Sequence, residues 1–333
     1  MKILILHNAR SGHGRLNFKS YLQALSELGA AAEIRALGTD FNLKALLTDV
    51  DQFDRVVVAG GDGTVSAVAG FLQGSQKPIL AYPGGTANIL AHNLGIPGNA
   101  KELASLTLKG QPQASDLGEL EYMRRSPRAI FKNRFLRRAV NPAPAPSQKI
   151  HFAIMAGTGF AARLMSDAEG LKARLGQAAY WLSAFWNLFP RLAEYRIKLD
   201  GREVVTRGIG ILIINFDKIQ FNLKIVPYSR ANDGRFFVVV VTARSLFGLL
   251  PVIWSAFCER IGFKRWAVPE IMEIHQASQV EVTSRYRQRL QFDGELLPKS
   301  ASFKVRVLPA AAFFIYGDQA LDTQAQQEIL ERR

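Results

Sequence analysis

VVVAGGDGTV, residues 56–65, joins an apolar run to a glycine-rich bend and then to a helix-like pattern. The apolar run indicates a buried strand. Glycines at 60, 61 and 63 permit close backbone approach, so that successive amides can point at one anion. Thr64 is expected to cap the following helix, whose amino terminus adds a partial positive charge. The stretch therefore predicts a phosphate-binding turn, the alternative being an ordinary strand-to-helix turn.

A second glycine-bearing turn occurs in AYPGGTANILAHNLGIP, residues 81–97. Gly84 and Gly85 end a predicted strand, and Thr86 is expected to cap the helix that follows. In an open parallel sheet, ligands bind outside the carboxyl ends of the strands, where the strand order reverses. We therefore expect both turns to face one crevice, with the loop HNARSGHGR at residues 7–15 as its third wall.

The amino-terminal residues 1–121 predict an α/β domain. Their strand-like runs alternate with helix-like intervals, and this alternation is typical of a doubly wound parallel sheet. The predicted strands are Lys2–Leu6, Ala31–Leu37, Asp54–Ala59 and Pro78–Tyr82, with a helical pattern over Leu16–Leu28.

Later residues predict a different architecture. Residues 122–148 are interpreted as a basic surface insertion, because 124–138 hold seven cations and no acid and the proline-rich NPAPAP follows. Residues 149–310 predict an antiparallel β-sandwich, and residues 311–333 are expected to complete the first domain. The predicted sandwich strands are Ile150–Met155, Arg196–Leu199, Gly208–Ile214, Phe236–Val241, Gln279–Thr283, Arg289–Phe292 and Ser302–Leu308.

Composition narrows the class of protein. Lysine and arginine total 42 against 28 acids, a formal charge of +14, which favours polyanionic partners. The lone cysteine, Cys258, excludes an intrachain disulfide and a cysteine-rich metal site.

Two aromatic and apolar segments, Ala178–Leu192 and Leu246–Trp266, are too short to cross a bilayer. They are either core helices or an interfacial surface that contacts lipid headgroups.

Six short motifs, taken in their order along the chain, resemble those of the diacylglycerol kinase catalytic family. This family includes bacterial diacylglycerol kinases, sphingosine kinases and ceramide kinases. The resemblance is carried by GGDGT at 60–64, PGGTANILAHNLGIP at 83–97, the opening Asn8-x-x-Ser11-Gly12-x-Gly14, SDLG at 115–118, AGTGFAA at 156–162 and DGE at 293–295. It implies a kinase that uses ATP and Mg²⁺ to phosphorylate a lipid hydroxyl. Ala9 and Ile89 depart from the family pattern, which commonly has proline and aspartate there.

The resemblance also implies roles for individual residues. The nucleotide-binding residues would be Asn8, Ser11, Gly12, Gly60, Gly61, Asp62, Gly63, Thr64, Gly85, Thr86 and Asn88. Asp293 would be the catalytic base, with Asp62 also catalytic, and Glu295 and Asp116 would belong to the Mg²⁺ site. Aspartate-glycine turns occur at Asp200, Asp233 and Asp293, and only order within the resemblance selects the last of these.

The expected partners are a membrane lipid substrate and an anionic membrane surface, with no specific nucleic acid. The expected location is cytoplasmic, at the inner face of the membrane, and a homodimer is left open. One alternative is a NAD kinase, which shares a GGDGT-like segment. NAD kinases also carry an Asn-Glu pair later in the chain, and no asparagine in this sequence is followed directly by glutamate. Another is a nucleic-acid-binding protein, suggested by the positive charge.

Overall fold

The structure is a computed structural model that describes most of the chain. It describes residues 1–9, 16–38, 41–123, 147–160, 162–163, 191–216, 218–219, 223–224, 226, 231–243, 248, 271–318 and 320. The basic run 124–138 and most of both aromatic segments lie outside these residues, as does the tail after position 320. No helix among the described residues is long and apolar enough to cross a membrane.

The amino-terminal part is a parallel sheet with helices on both faces. Its strands are β1 (Lys2–His7), β2 (Ala31–Ala36), β3 (Arg55–Gly60) and β4 (Pro78–Pro83), in the order β2-β1-β3-β4. Its helices are α1 (Phe18–Glu27), α2 (Leu43–Leu46), α3 (Asp62–Phe71), α4 (Ile89–Asn93) and α5 (Ala100–Lys109), with a 3₁₀ turn at Val50–Gln52. The predicted doubly wound α/β fold is confirmed.

Alternating side chains of the strands bury both faces of this sheet. Ile3 and Ile5 of β1 pack with Tyr21 of α1 and with α5 on one side. Leu4 and Leu6 face the opposite core, which includes α3 and α4. The strand order reverses between β1 and β3, so the carboxyl ends of these two strands border the crevice where such sheets bind ligands.

The carboxyl-terminal part is an antiparallel sandwich, as predicted. Its strands are β5 (Pro112–Met123), β6 (Ser147–Phe152), β7 (Met155–Gly159), β8 (Ala193–Leu199), β9 (Arg202–Gly208), β10 (Gly210–Ile214), β13 (Phe236–Val241), β14 (Met272–Ala277), β15 (Gln279–Phe292) and β16 (Glu295–Ile315). Two short strands, β11 (Lys218–Ile219) and β12 (Leu223–Lys224), form a separate two-stranded sheet. Phe152, Tyr195 and Phe236 are among the buried residues of its core.

One long strand joins the two parts. β16 pairs with β15 and β5 along most of its length, and its end runs parallel to β4, where Phe313 and Phe314 face Pro78 and Ile79. Within the described part of the chain, fourteen strands thus form one continuous sheet. The Asp293–Gly294 turn lies at the other end of β16, where it contacts the amino-terminal part through the hydrogen bond from Ser66 of α3 to Asp293.

Several strand predictions for the sandwich were wrong in detail. The run Ile150–Met155 is not one strand, because the chain turns at Ala153 and Ile154, whose amides donate to the Asp293 carboxylate. The two predicted runs between positions 279 and 292 form a single strand, β15, with a bulge. β5, β9 and β14 were not predicted, because polar and charged residues interrupt their apolar runs; in β5 these include the buried Asp116 and Glu119.

Candidate active site

The first glycine turn follows β3 and opens helix α3. Gly61 is the N-cap residue, in an extended conformation, and its carbonyl accepts from the amides of Thr64 at 2.9 Å and Val65 at 3.1 Å. Thr64 therefore lies inside the first turn, and its predicted capping role was wrong. Because the first amides of a helix lack intrahelical acceptors, the half-buried segment 61–63 presents donors to the crevice.

Asn8 joins β1 to this turn across the point where the strand order reverses. Its backbone amide donates to the carbonyl of Ala59 at 2.8 Å, and its side-chain amide lies 3.5 Å from the Thr64 hydroxyl. The structure thus places Asn8 and Thr64, two of the predicted nucleotide-binding residues, next to each other. Ser11 and Gly12, the other predicted residues of the opening loop, lie outside the described residues.

The second glycine turn packs directly on the first. A Cβ atom on Gly85 would lie 2.8 Å from the Gly61 Cα, and one on Gly84 would lie 3.2 Å from the Gly60 nitrogen. Asn88 adopts a left-handed conformation with φ 50° and accepts from the Gly85 amide at 2.6 Å. These close approaches explain why glycine occupies positions 84 and 85.

Asp62 links the two turns through its carboxylate. Its oxygens accept from the amides of Ile89 at 3.1 Å and Leu90 at 2.9 Å, which are the first residues of α4. The expected cap by Thr86 was wrong, because Asn88 holds the N-cap position and Asp62 supplies the acceptor. Burial raises the pKa of Asp62, and the two amide donors oppose that shift.

The Gly85→Ala variant tests this packing. The added methyl group would press on the Gly61 backbone, so we expect the two turns to separate and the affinity for a non-hydrolysable ATP analogue to fall by about ten-fold or more. Titration calorimetry measures this affinity. Gly98→Ala is the control, since a Cβ there meets no atom within 4 Å. Equal affinity in the two variants would contradict the predicted nucleotide site.

Asp293 is buried at the turn between β15 and β16, with 5% of its surface exposed. Its carboxylate accepts four hydrogen bonds: from the amides of Ala153 at 2.7 Å, Ile154 at 2.9 Å and Met155 at 2.8 Å, and from the hydroxyl of Ser66. Burial raises the pKa of Asp293 to about 6, although the Ser66 hydrogen bond opposes this shift. The negative charge of Asp62 contributes to this rise in pKa, so the two predicted catalytic carboxylates interact electrostatically.

Ser66 is a site residue that sequence reasoning missed. It lies four positions after Asp62 on α3, is fully buried, and joins the Asp293 carboxylate to the amide of Ala153 at 3.2 Å. Spacing of four residues places two side chains on the same helix face. That spacing from Asp62 was the one sequence signal available, and serine is too common to stand out.

The Ser66→Ala variant tests this contact. Loss of a hydrogen bond to a buried carboxylate is expected to lower the free energy of unfolding by about 1.5–3 kcal/mol. Denaturant titration measures the change. In an Asp293→Asn background the same substitution should cost less, since the two residues share one interaction. Ser20→Ala, on the exposed side of α1, is the control. Additive effects in the double variant would contradict the contact.

The two predicted metal ligands lie in different environments. Glu295 is exposed beside the first turn, and a Cβ on Gly63 would lie 2.8 Å from its Cγ. Asp116 is buried and accepts from the amides of Gly234 at 2.7 Å and Ala310 at 2.9 Å, so its carboxylate holds two distant loops together. Within the described ranges, no group of three or more His, Cys, Asp or Glu side chains is placed to hold a metal ion.

This donor set still fits Mg²⁺ bound together with a nucleotide. Such an ion usually takes one or two protein carboxylates and completes its shell with phosphates and water. Glu295 is available for that role, because it is exposed next to the predicted phosphate-binding amides. Asp116 is less available, because both of its oxygens already accept backbone amides.

Comparison with known proteins identifies two domains. Residues 2–120 match the model of the diacylglycerol kinase catalytic domain, and residues 154–315 match that of the YegS C-terminal NAD kinase beta sandwich-like domain. A Pectobacterium atrosepticum protein named "Probable lipid kinase YegS-like" is 26% identical over 321 residues, covering 93% of each chain. A diacylglycerol kinase of Bacillus subtilis is 26% identical over 304 residues, covering 87% of this chain and 88% of its own.

A crystal structure of a diacylglycerol kinase from Bacillus anthracis shares the fold, with a TM-score of 0.67, 21% identity, and coverage of 96% of this chain and 98% of that one. The two family models match consecutive parts of the chain, and the first includes both glycine turns. The chain therefore combines a diacylglycerol kinase catalytic domain with a YegS C-terminal NAD kinase beta sandwich-like domain.

Proposed function

We propose that the protein is an ATP- and Mg²⁺-dependent lipid kinase that transfers the γ-phosphoryl group of ATP to the hydroxyl of a membrane lipid. The acceptor would belong to the diacylglycerol, sphingoid base or ceramide class. One observation carries the proposal: two glycine turns, held together by Asp62, meet at the carboxyl ends of β3 and β4, next to the point where the strand order reverses, and Glu295 lies beside the first turn. The relatives described above support the same reaction, since they are named as lipid kinases.

The first task of the chain is to hold the triphosphate. Amides at the start of α3 would donate to phosphate oxygens, and the helix amino terminus favours their negative charge. Asn8 lies on the β1 side of this turn, and the exposed Thr86 lies on the other. Phosphoryl transfer needs little covalent help from the protein, so this positioning is the main contribution of the amino-terminal domain.

Glu295 would hold the Mg²⁺ that accompanies the nucleotide. When bound, the ion would neutralise charge on the phosphate oxygens. The neighbouring Gly63 lets the Glu295 side chain lie against the first turn of α3, where a larger residue would collide with it.

Asp293 would accept the proton of the lipid hydroxyl. Three of its four hydrogen bonds come from backbone amides, whose positions are set by the fold. The fourth comes from the Ser66 hydroxyl, which can rotate and exchange partners. We therefore place the approach of the lipid hydroxyl on the Oδ2 side, next to Ser66. A carboxylate whose pKa is raised by burial accepts a proton more readily than an exposed one.

A labelling assay tests the proposal. The protein would be incubated with radiolabelled ATP, Mg²⁺ and vesicles that contain one acceptor lipid at a time, and the label in extracted lipid would be counted. NAD would be supplied in a parallel reaction. We expect labelled lipid and no NADP. NADP formation without lipid labelling would support the NAD kinase alternative, and no product in either reaction would reject both.

A further inference from the structure

The β15–β16 hairpin carries an unusual surface about midway between the Asp293 turn and its far end, where Gln279 pairs with Arg306. The strand register shifts between Thr283 and Gln288, and the three residues Arg285, Tyr286 and Arg287 are all exposed. In a regular strand alternate residues would face the core, as Val280, Val282 and Ser284 do. A bulge breaks this alternation and turns consecutive side chains outward.

Other exposed residues lie beside this bulge. The Arg287 guanidinium donates to the carbonyl of Lys299 on β16 at 2.7 Å. Strand β8 runs alongside, with Tyr195 paired to Ser284 and its hydroxyl donating to the side chain of Gln288 at 2.8 Å. The chain therefore enters β8 beside the bulge. We define the basic tip as Arg191, Leu192, Arg285, Tyr286, Arg287 and Lys299.

Among the residues that the structure describes, no acid neutralises the positive charge of the basic tip. None of its four cations forms an ion pair with another described residue. The nearest acid on β8, Glu194, is paired with Arg207 at 3.2 Å. Farther along the same hairpin, Lys304 is paired with Glu281 at 2.8 Å. The basic tip thus differs from an ordinary charged face, where acids and bases alternate.

Two of its side chains are apolar or amphipathic. Tyr286 is 60% exposed and Leu192 is 45% exposed. The Arg285 guanidinium lies 5.6 Å from the centre of the Tyr286 ring. Tyrosine has an apolar ring and a polar end, and it is favoured where one side is apolar and the other wet. Cations around such side chains meet anionic headgroups while the apolar groups enter the boundary region.

We propose that the basic tip docks the protein on an anionic phospholipid surface. This inference rests on the proposed function, because a lipid acceptor resides in a bilayer. A single-stranded nucleic acid is a poorer partner, since such binders use several aromatic rings along a groove, and Leu192 has no ring on which a base would stack. Unpaired cations around Tyr286 and Leu192 match a membrane interface more closely.

The basic tip is remote from the reacting groups. Tyr286 precedes Asp293 by seven residues of extended chain, which is about 20 Å at about 3.3 Å per residue. Substitutions at the tip therefore leave the glycine turns, Ser66 and Asp293 in place. Docking and chemistry can be measured separately for this reason.

Vesicle flotation of the full chain provides the test. The variants are Arg285→Glu with Arg287→Glu, and Tyr286→Ala, and the matched control is Lys19→Glu with Lys101→Glu on the exposed faces of α1 and α5. Vesicles contain phosphatidylcholine alone or with phosphatidylglycerol. Each cation near an anionic surface contributes about five-fold to partitioning, so reversing two should reduce binding to the anionic vesicles by about 25-fold or more. The control variant should bind like the unchanged protein.

Activity and nucleic-acid binding complete the experiment. Phosphorylation of a short-chain acceptor dispersed in detergent should be equal in the tip variants and the unchanged protein. If neither the unchanged protein nor the tip variants phosphorylated this acceptor, the proposed function would be contradicted, whatever the flotation result. The docking inference is overturned if the unchanged protein does not prefer anionic vesicles, or if the charge reversal leaves flotation intact. Gel shifts with an oligonucleotide that respond to the reversal, without a change in flotation, would also overturn it.

Discussion

Replacing Asp293 with Asn is expected to lower kcat by about 10²- to 10⁴-fold, while the affinity for an ATP analogue stays near that of the unchanged protein. An asparagine cannot take the hydroxyl proton at neutral pH. Its side-chain NH2 group is a donor, and it would face at least one of the four donors that surround position 293. The free energy of unfolding should therefore also fall. Steady-state kinetics with a dispersed lipid acceptor, together with calorimetry for nucleotide binding, measure both effects.

Asp200→Asn is the matched control for this variant. Asp200 also begins an aspartate-glycine hairpin turn, with φ 47° against 40° at Asp293, and its carboxylate also accepts backbone amides. Those amides belong to Ser278 and Gln279, far along the chain from the glycine turns. If the Asp200→Asn variant were inactive and the Asp293→Asn variant fully active, the base would have been assigned to the wrong turn.

The Asp62→Ala variant is expected to lose detectable lipid labelling and most nucleotide affinity. Without the carboxylate, the amides of Ile89 and Leu90 have no acceptor, and the second glycine turn is no longer tied to the first. Each unsatisfied group costs about 1–3 kcal/mol, so the free energy of unfolding should also fall. Denaturant titration and analogue binding would be measured on the same preparation.

Asn99→Ala separates loss of a helix cap from loss of the site. Asn99 likewise accepts two first-turn amides, those of Lys101 at 2.9 Å and Glu102 at 3.2 Å, but at the start of α5. This variant should lose comparable stability and retain activity. If it became as inactive as Asp62→Ala, the effect of Asp62 would be one of stability alone.

The local pattern predicted some of the fold well. Apolar runs marked β1, β3 and β4 to within one residue at each end, and glycine pairs marked the two turns. It failed where a long-range contact replaced a local preference. Thr86 is a good capping residue by type, yet the acceptor for α4 comes from Asp62, more than twenty residues earlier.

The sequence by itself determined where the chain turns, because glycine conformational freedom and apolar periodicity act between neighbouring residues. It also indicated the family, since the order of motifs survives where overall identity is low. The order of motifs selected Asp293 among three aspartate-glycine turns, but only the tertiary structure showed that this turn contacts α3 and that Ser66 of α3 makes the contact. The physical reason is that the hydrogen bond from Ser66 to Asp293 spans 227 positions, and no local pattern encodes a contact at that separation.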